Sequence, residues 1–253
     1  MKGFLISALM LATITSGFAR QTYAVVVGVA DYVGTVNDLK YADADARLIT
    51  RFLQSPRGGS VPPNHIITLV NGQATHANSL RALRLFQSAQ RDDRIIFFFS
   101  GHGFEGTFFT ADGMELRHEE LKAAFRKSAA TTKMVWADAC HSGSLRQSAH
   151  VRPVSRKTYR PLREPSLNIM VMASSRSSQK SGEYGYLKHG AFTYYLVKGA
   201  QGEADQNRDK IVTIDEHFQY VYNRVRAFTH NRQIPIIYGK FSNATPVTSL
   251  LTS

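Results

Sequence analysis

Two hydrophobic periods alternate along this chain of 253 residues. Six segments are almost unbroken apolar runs: YAVVVGVA (23–30), HIITLV (65–70), RIIFFFSGHG (94–103), KMVWADAC (133–140), LNIMVMASS (167–175) and IPIIYG (234–239). Runs of this length, rich in β-branched and aromatic residues, predict strands buried on both faces. Between them the apolar positions return at helical spacing. DLKYADADARLITRFLQS places Leu39, Ala42, Ala46, Ile49 and Leu53 on one stripe, and HANSLRALRLFQSAQ does the same with Leu80, Leu83 and Phe86. LRHEELKAAFRKSA, GAFTYYLVKGA and VTIDEHFQYVYNRVRAFT also read as helices. Strands alternating with helices predict an α/β protein with a mostly parallel six-stranded sheet covered on both faces.

The first nineteen residues stand apart from this pattern. Lys2 precedes the apolar run FLISALMLATITSGFA, with Gly17 and Ala19 at the −3 and −1 positions of a cleavage site. This is the layout of a secretory signal peptide, and it predicts a secreted or periplasmic protein beginning at Arg20. No later run approaches the length of a membrane span, so none is expected in the mature chain. Export sharpens the meaning of Cys140, the only cysteine. A single thiol cannot form an internal cross-link, so it is either inert and buried or present for its chemistry.

A formal net charge of +12 raises the question of a nucleic-acid partner. Much of it is local, however: Arg146, Arg152, Arg156, Lys157, Arg160 and Arg163 precede the first acidic residue of that stretch, Glu164. Only Tyr159 interrupts them as an aromatic, so residues 146–165 read as an exposed basic linker, and no nucleic acid is expected.

Ligands of open parallel sheets sit beyond the carboxyl ends of the strands. Two such ends carry reactive sequences, SGHG after the third strand and DACHSG after the fourth. If the strands are neighbours, His102 and Cys140 share one crevice, and an imidazole there can take the thiol proton. The amides of Gly103 and Cys140 are candidates for an oxyanion hole. A zinc site from His102, His118, Cys140 and His141 is the rival, but it lacks the paired spacing of structural zinc motifs.

The segments FFFSGHG, DACHSGS, AVVVGVADY with VNDLKYADADA, and the late RQIP, taken together and in this order, resemble the metacaspase branch of the caspase-like cysteine peptidases. The resemblance implies a caspase-like three-layer α/β/α sandwich. It would comprise a large-subunit-like part (20–145), the linker (146–165) and a small-subunit-like part (166–253). It also implies peptide-bond hydrolysis through a thioacyl-enzyme, with Cys140 as nucleophile and His102 as general base and acid. By the same resemblance Asp38 and Asp138 line the pocket for the substrate's P1 side chain, which two carboxylates would restrict to Arg or Lys. Arg152, Arg156, Lys157, Arg160 and Arg163 then become candidate self-processing sites of a zymogen.

The chain departs from the family after the fifth strand, where Ser177 and Ser178 replace common acidic residues. The family's activating calcium pairs are not evident after Asp112, so no cofactor is required. A different calcium candidate is DQNRDKIVTIDE, which sets Asp205, Asn207, Asp209, the Ile211 carbonyl, Thr213 and Glu216 at EF-hand spacing. Lys210 occupies the position that loop reserves for glycine, and Thr213 with Glu216 also reads as a helix capping box. Two functions stay open: an exported cysteine endopeptidase cutting after basic residues, and a catalytically silent caspase-like module that binds peptides or partners.

Overall fold

A computed structural model describes residues 20–34, 38–104, 106–141, 162, 165–174 and 183–250, with the backbone alone at 140, 141, 165 and 183. The expected signal peptide and all the candidate processing sites lie outside these residues. The strands are β1 (Thr22–Gly28), β2 (Ile66–Val70), β3 (Arg94–Phe104), β4 (Thr107–Phe109), β5 (Glu115–Arg117), β6 (Thr132–His141), β7 (Ile169–Ala173), β8 (Glu183–Tyr184), β9 (His189–Gly190), β10 (Ile211–Thr213), β11 (Ile236–Gly239) and β12 (Pro246–Ser249). The helices are α1 (Ala42–Gln54), α2 (His76–Ala82), α3 (His118–Arg126), α4 (Ala191–Lys198) and α5 (Ile214–Phe228).

Six strands form the central sheet in the order β11-β7-β6-β3-β1-β2, with the β4–β5 hairpin attached to β3. All neighbours along this path are parallel except β11, which runs antiparallel to β7. Strand periodicity divides the apolar residues between two cores. Val25, Val27, Ile95, Phe97, Phe99, Val135 and Val171 face a core closed by Leu83, Phe86, Leu121 and Phe125. Their neighbours Val26, Ile96, Phe98, Met134, Trp136 and Met172 face a second core closed by Ile49, Leu53, Phe192, Leu196, Val221 and Val225. The sheet is therefore the middle of three layers, with α2 and α3 on one face and α1, α4 and α5 on the other.

The six expected strands all form, each within two residues of its predicted limits. The expected helix at HANSLRALRLFQSAQ is shorter, giving way after Ala82 to a tighter 3₁₀ segment (Leu83–Ser88).

Register then creates the site. β1 ends at Gly28 beside Ser100, and β7 ends at Ala173 beside Ala137. β3 and β6 continue past β1 and β7, pairing Gly101 with Ala139, His102 with Cys140 and Gly103 with His141, and β4 flanks β3 at Gly103. Gly28 brings α1 over this end. A Cβ there would lie 2.3 Å from the Ala42 carbonyl oxygen and 2.6 Å from the Ala46 Cβ, so only glycine allows the helix so close.

Candidate active site

His102 and Cys140 are register partners on adjacent parallel strands, one strand spacing (about 4.8 Å) apart. The sequence expectation that the two strand ends are neighbours holds. The β3 tip is fixed by Tyr32, whose hydroxyl accepts the His102 backbone N–H at 2.7 Å. Its ring lies against the imidazole, with centroids 4.9 Å apart. The hydroxyl reaches this position only because residue 101 is glycine: a Cβ there would lie 2.7 Å from it. His102 itself is half-buried. Gly103, the other oxyanion candidate, is buried between His141 of β6 and Phe108 of β4.

Two residues below this pair, the tip carries buried acids. Asp138 is buried, and its Oδ2 accepts the Thr193 N–H at 3.1 Å and the Thr193 hydroxyl at 2.8 Å. The second buried acid is Asp45, on α1 and 1% exposed. Its Oδ2 accepts the Ser100 hydroxyl at 2.9 Å, while its Oδ1 is 2.9 Å from His189 Nδ1 and 3.1 Å from the donating Gly190 amide. Burial, with the nearby Arg51 charge, holds His189 below its ordinary pKa.

The two acids converge on Gly190. A Cβ built there would sit 2.3 Å from the Asp138 Oδ2 and 3.0 Å from the Asp45 Oδ2. Position 190 is closed to any side chain by the carboxylates themselves, since its φ of −63° suits every residue.

Asp38 takes a different place. It is exposed and accepts the Tyr32 backbone N–H through its Oδ1, bracing the loop after β1. Nor does it cap α1, which begins four residues later with Tyr41 at the N-cap. The residue that sequence reasoning missed is Asp45. Its signal was an acid on the apolar stripe of a helix, between Ala42, Ala46 and Ile49, where solvation cannot account for it.

The calcium candidate closes on its own backbone. Asp205 Oδ2 accepts the Lys210 N–H at 3.1 Å, and Asp209 Oδ1 accepts the Ile211 N–H at 2.8 Å. Thr213 and Glu216 form a reciprocal capping box at the start of α5. Asn207 bonds only within the loop, to Asp209. Lys210 adopts a φ of +66°, so the turn that favours glycine is made by lysine. Among the described residues no group of three or more His, Cys, Asp or Glu is placed to hold a metal. Of the zinc candidates, His118 packs on the Phe108 ring, with centroids 4.8 Å apart. No helix among the described residues is long and apolar enough to cross a membrane.

Comparison with solved structures supports the fold. Protein GSU0716 of Geobacter sulfurreducens superposes with a TM-score of 0.66 at 20% identity, covering 91% of this chain and 99% of that one. Caspase-1 of Spodoptera frugiperda gives a TM-score of 0.65 at 12% identity, covering 92% of each chain. No curated protein matches the sequence. The family model described as the caspase domain matches residues 21–244, nearly the whole chain beyond its first twenty residues, and the chain therefore belongs to the caspase domain family, a fold and family that fit a cysteine peptidase.

Proposed function

We propose that the chain is a cysteine endopeptidase of metacaspase type that cleaves after Arg or Lys. The observation that carries this reading is the register pairing of His102 with Cys140 at a strand tip that outruns its neighbours. His102 takes the Cys140 proton, and the thiolate sulfur attacks the carbonyl carbon of the scissile bond. Amides at the tip, those of Gly103 and Cys140, stabilise the oxyanion. The tetrahedral intermediate collapses with cleavage of the C–N bond, and imidazolium returns the proton to the departing amine. Water, deprotonated by the same imidazole, then hydrolyses the thioester and restores the thiol.

Selectivity for a basic P1 side chain rests on Asp45 and Asp138. Both are buried, and the groups that hold them include hydroxyl groups, backbone amides and an imidazole kept below its ordinary pKa. A guanidinium entering beside Gly190 meets both carboxylates, and its fork can bridge them in a way that ammonium cannot. Arg is therefore preferred to Lys.

The basic linker would be a substrate of the same pocket, with cleavage after Arg152, Arg156, Lys157, Arg160 or Arg163. Secretion as a zymogen belongs to the same proposal.

The test is hydrolysis of fluorogenic peptides ending in Arg, Lys or Asp by residues 20–253, with and without calcium. Turnover of the Arg and Lys peptides, lost by at least about 10³-fold in both Cys140→Ala and His102→Ala, supports the reading. A folded, reduced and inactive wild type would instead make the protein a peptide-binding module.

A further inference from the structure

The opposite end of the sheet holds a second buried charge. Arg94 opens β3 and is 9% exposed. Its Nε and Nη2 both donate to the Thr22 hydroxyl, at 3.2 and 3.0 Å, and its Nη1 donates to the Val247 carbonyl at 2.5 Å. These contacts engage three of the five N–H donors of a guanidinium, and both acceptors are neutral. Burial and the Arg20 charge lower its pKa to about 10, which leaves it protonated at neutral pH. A buried cation without a counter-charge is costly, and proteins pair such groups with an anion.

Arg94 is not alone. It lines a cavity of about 540 Å³ together with Arg20 and Arg57, both exposed. Arg20 Nε donates to the Asp92 carbonyl at 3.1 Å, and Arg57 Nη1 donates to the Gln201 carbonyl at 2.5 Å. Each of the three guanidinium groups is anchored by uncharged oxygen, and none has a carboxylate at ion-pair distance among the described residues. Among the described residues no acidic and no aromatic one lines the cavity. Its wall includes the turn at Gly58, where a Cβ would lie 1.8 Å from the Phe52 carbonyl oxygen, so the segment carrying Arg57 is folded tightly against the end of α1.

We propose that this cavity is a binding site for a phosphate-class oxyanion, either free or as the phosphomonoester of a larger molecule. The site lies about 26 Å from the catalytic tip, eight residues along β3 from His102. Its chemistry follows from its lining. Guanidinium forks lining one cavity match tetrahedral oxyanions, which accept several N–H donors at once. The absence of aromatic walls leaves no platform for a base, so the anionic group itself is recognised. The volume exceeds that of inorganic phosphate, leaving room for the rest of a phosphomonoester.

Thermal melts of the full chain test the site. Inorganic phosphate, compared with chloride at equal ionic strength, should raise Tm saturably, by about 5–10 °C at 100 times the dissociation constant. Arg94→Met tests the buried group but carries a folding cost. Arg57→Gln and Arg20→Gln alter exposed residues and keep the test decisive, and each should weaken phosphate binding at least tenfold. Equal shifts in phosphate and chloride overturn the proposal, as does an unchanged phosphate response in the Arg20→Gln/Arg57→Gln double variant. Co-flotation with vesicles of phosphatidate, against phosphatidylcholine alone, assigns the source. Binding to phosphatidate, sensitive to Arg57→Gln, points to a lipid headgroup, and phosphate-induced stabilisation without flotation points to a soluble phosphate; both support the site.

Discussion

The two ends of the sheet carry buried charge of opposite sign, carboxylates at the carboxyl end and a guanidinium at the amino end. At the carboxyl end, Asp45 and Asp138 accept from hydroxyl groups and amides, with an imidazole kept below its ordinary pKa. At the amino end, Arg94 donates to a hydroxyl and a carbonyl. At Arg94 the neutral acceptors satisfy hydrogen bonds without cancelling charge, so the amino end keeps an electrostatic demand that an anion can meet. The two ends differ in what stands above the charge. The acids lie beneath the His102–Cys140 pair, whereas no His, Cys, Asp or Glu is among the described residues that line the Arg94 cavity. One charged end is therefore read as part of a reaction centre and the other as a binding site alone.

Outside the catalytic pair, the largest expected effect comes from neutralising the acids. Asp45→Asn and Asp138→Asn retain an acceptor oxygen for the existing donors but remove the charge. Each should lower kcat/KM for Arg peptides by about 10²–10³-fold, the scale of leaving a buried charge pair half made. Asp38→Asn should change it less than about threefold, because Asp38 is exposed and bonded to the Tyr32 amide. The reverse ranking would restore Asp38 to the pocket.

Next in size is a pH effect on stability in the layer behind the pocket. His217 is fully buried between α4 and α5, with its Nε2 2.7 Å from the Leu196 carbonyl and its Nδ1 buried without a hydrogen-bond partner. Burial lowers its pKa to about 4 from 6.5. The unfolded chain therefore takes up a proton first as pH falls. Stability is fully present above pH 6.5 and declines toward pH 4, by about 3 kcal/mol for this group. His217→Gln keeps an amide donor for Leu196 and should flatten that limb in denaturant melts at pH 4–8. An identical slope in the variant would assign the acid limb to other groups.

A smaller effect is expected at Gly190. Gly190→Ala pushes a methyl group into both carboxylates and should cost about 1–3 kcal/mol, lowering Tm by several degrees. It should also reduce turnover of Arg peptides. Loss of stability with unchanged Arg/Lys selectivity would separate the glycine from the pocket.

The sheet was readable because its strands are long apolar runs, and the catalytic pair because glycines frame a histidine and a cysteine at the ends of two of them. Asp138 was found only through its place two residues before Cys140 in a family motif. Asp45 was obscured by YADADARL, where acids and alanines alternating within a few residues satisfy an amphipathic helix, and only packing shows which acid faces inward. Arg94 reads in sequence as the charged start of a strand, since nothing local tells that Thr22 and Val247 cover it. The two-residue strands β8 and β9 were missed because so few residues carry no period, yet they deliver His189 and Gly190 to the acids.

The finest comparison removes one neutral partner at each end. Ser100→Ala deletes the hydroxyl that donates to Asp45, and Thr22→Val deletes the one that accepts twice from Arg94. Asp45 retains its contacts with the Gly190 amide and His189, so Ser100→Ala should cost about 1 kcal/mol. That loss should raise KM for Arg peptides about fivefold with little change in kcat, because the carboxylate turns but keeps its charge. Arg94 retains only the Val247 carbonyl, so Thr22→Val should cost about 2 kcal/mol of stability without altering KM. Phosphate should recover part of that loss by supplying new acceptors to the freed N–H groups. Should both variants shift KM alike, the two ends of β3 would be coupled, and the separation of reaction centre from binding site would fail.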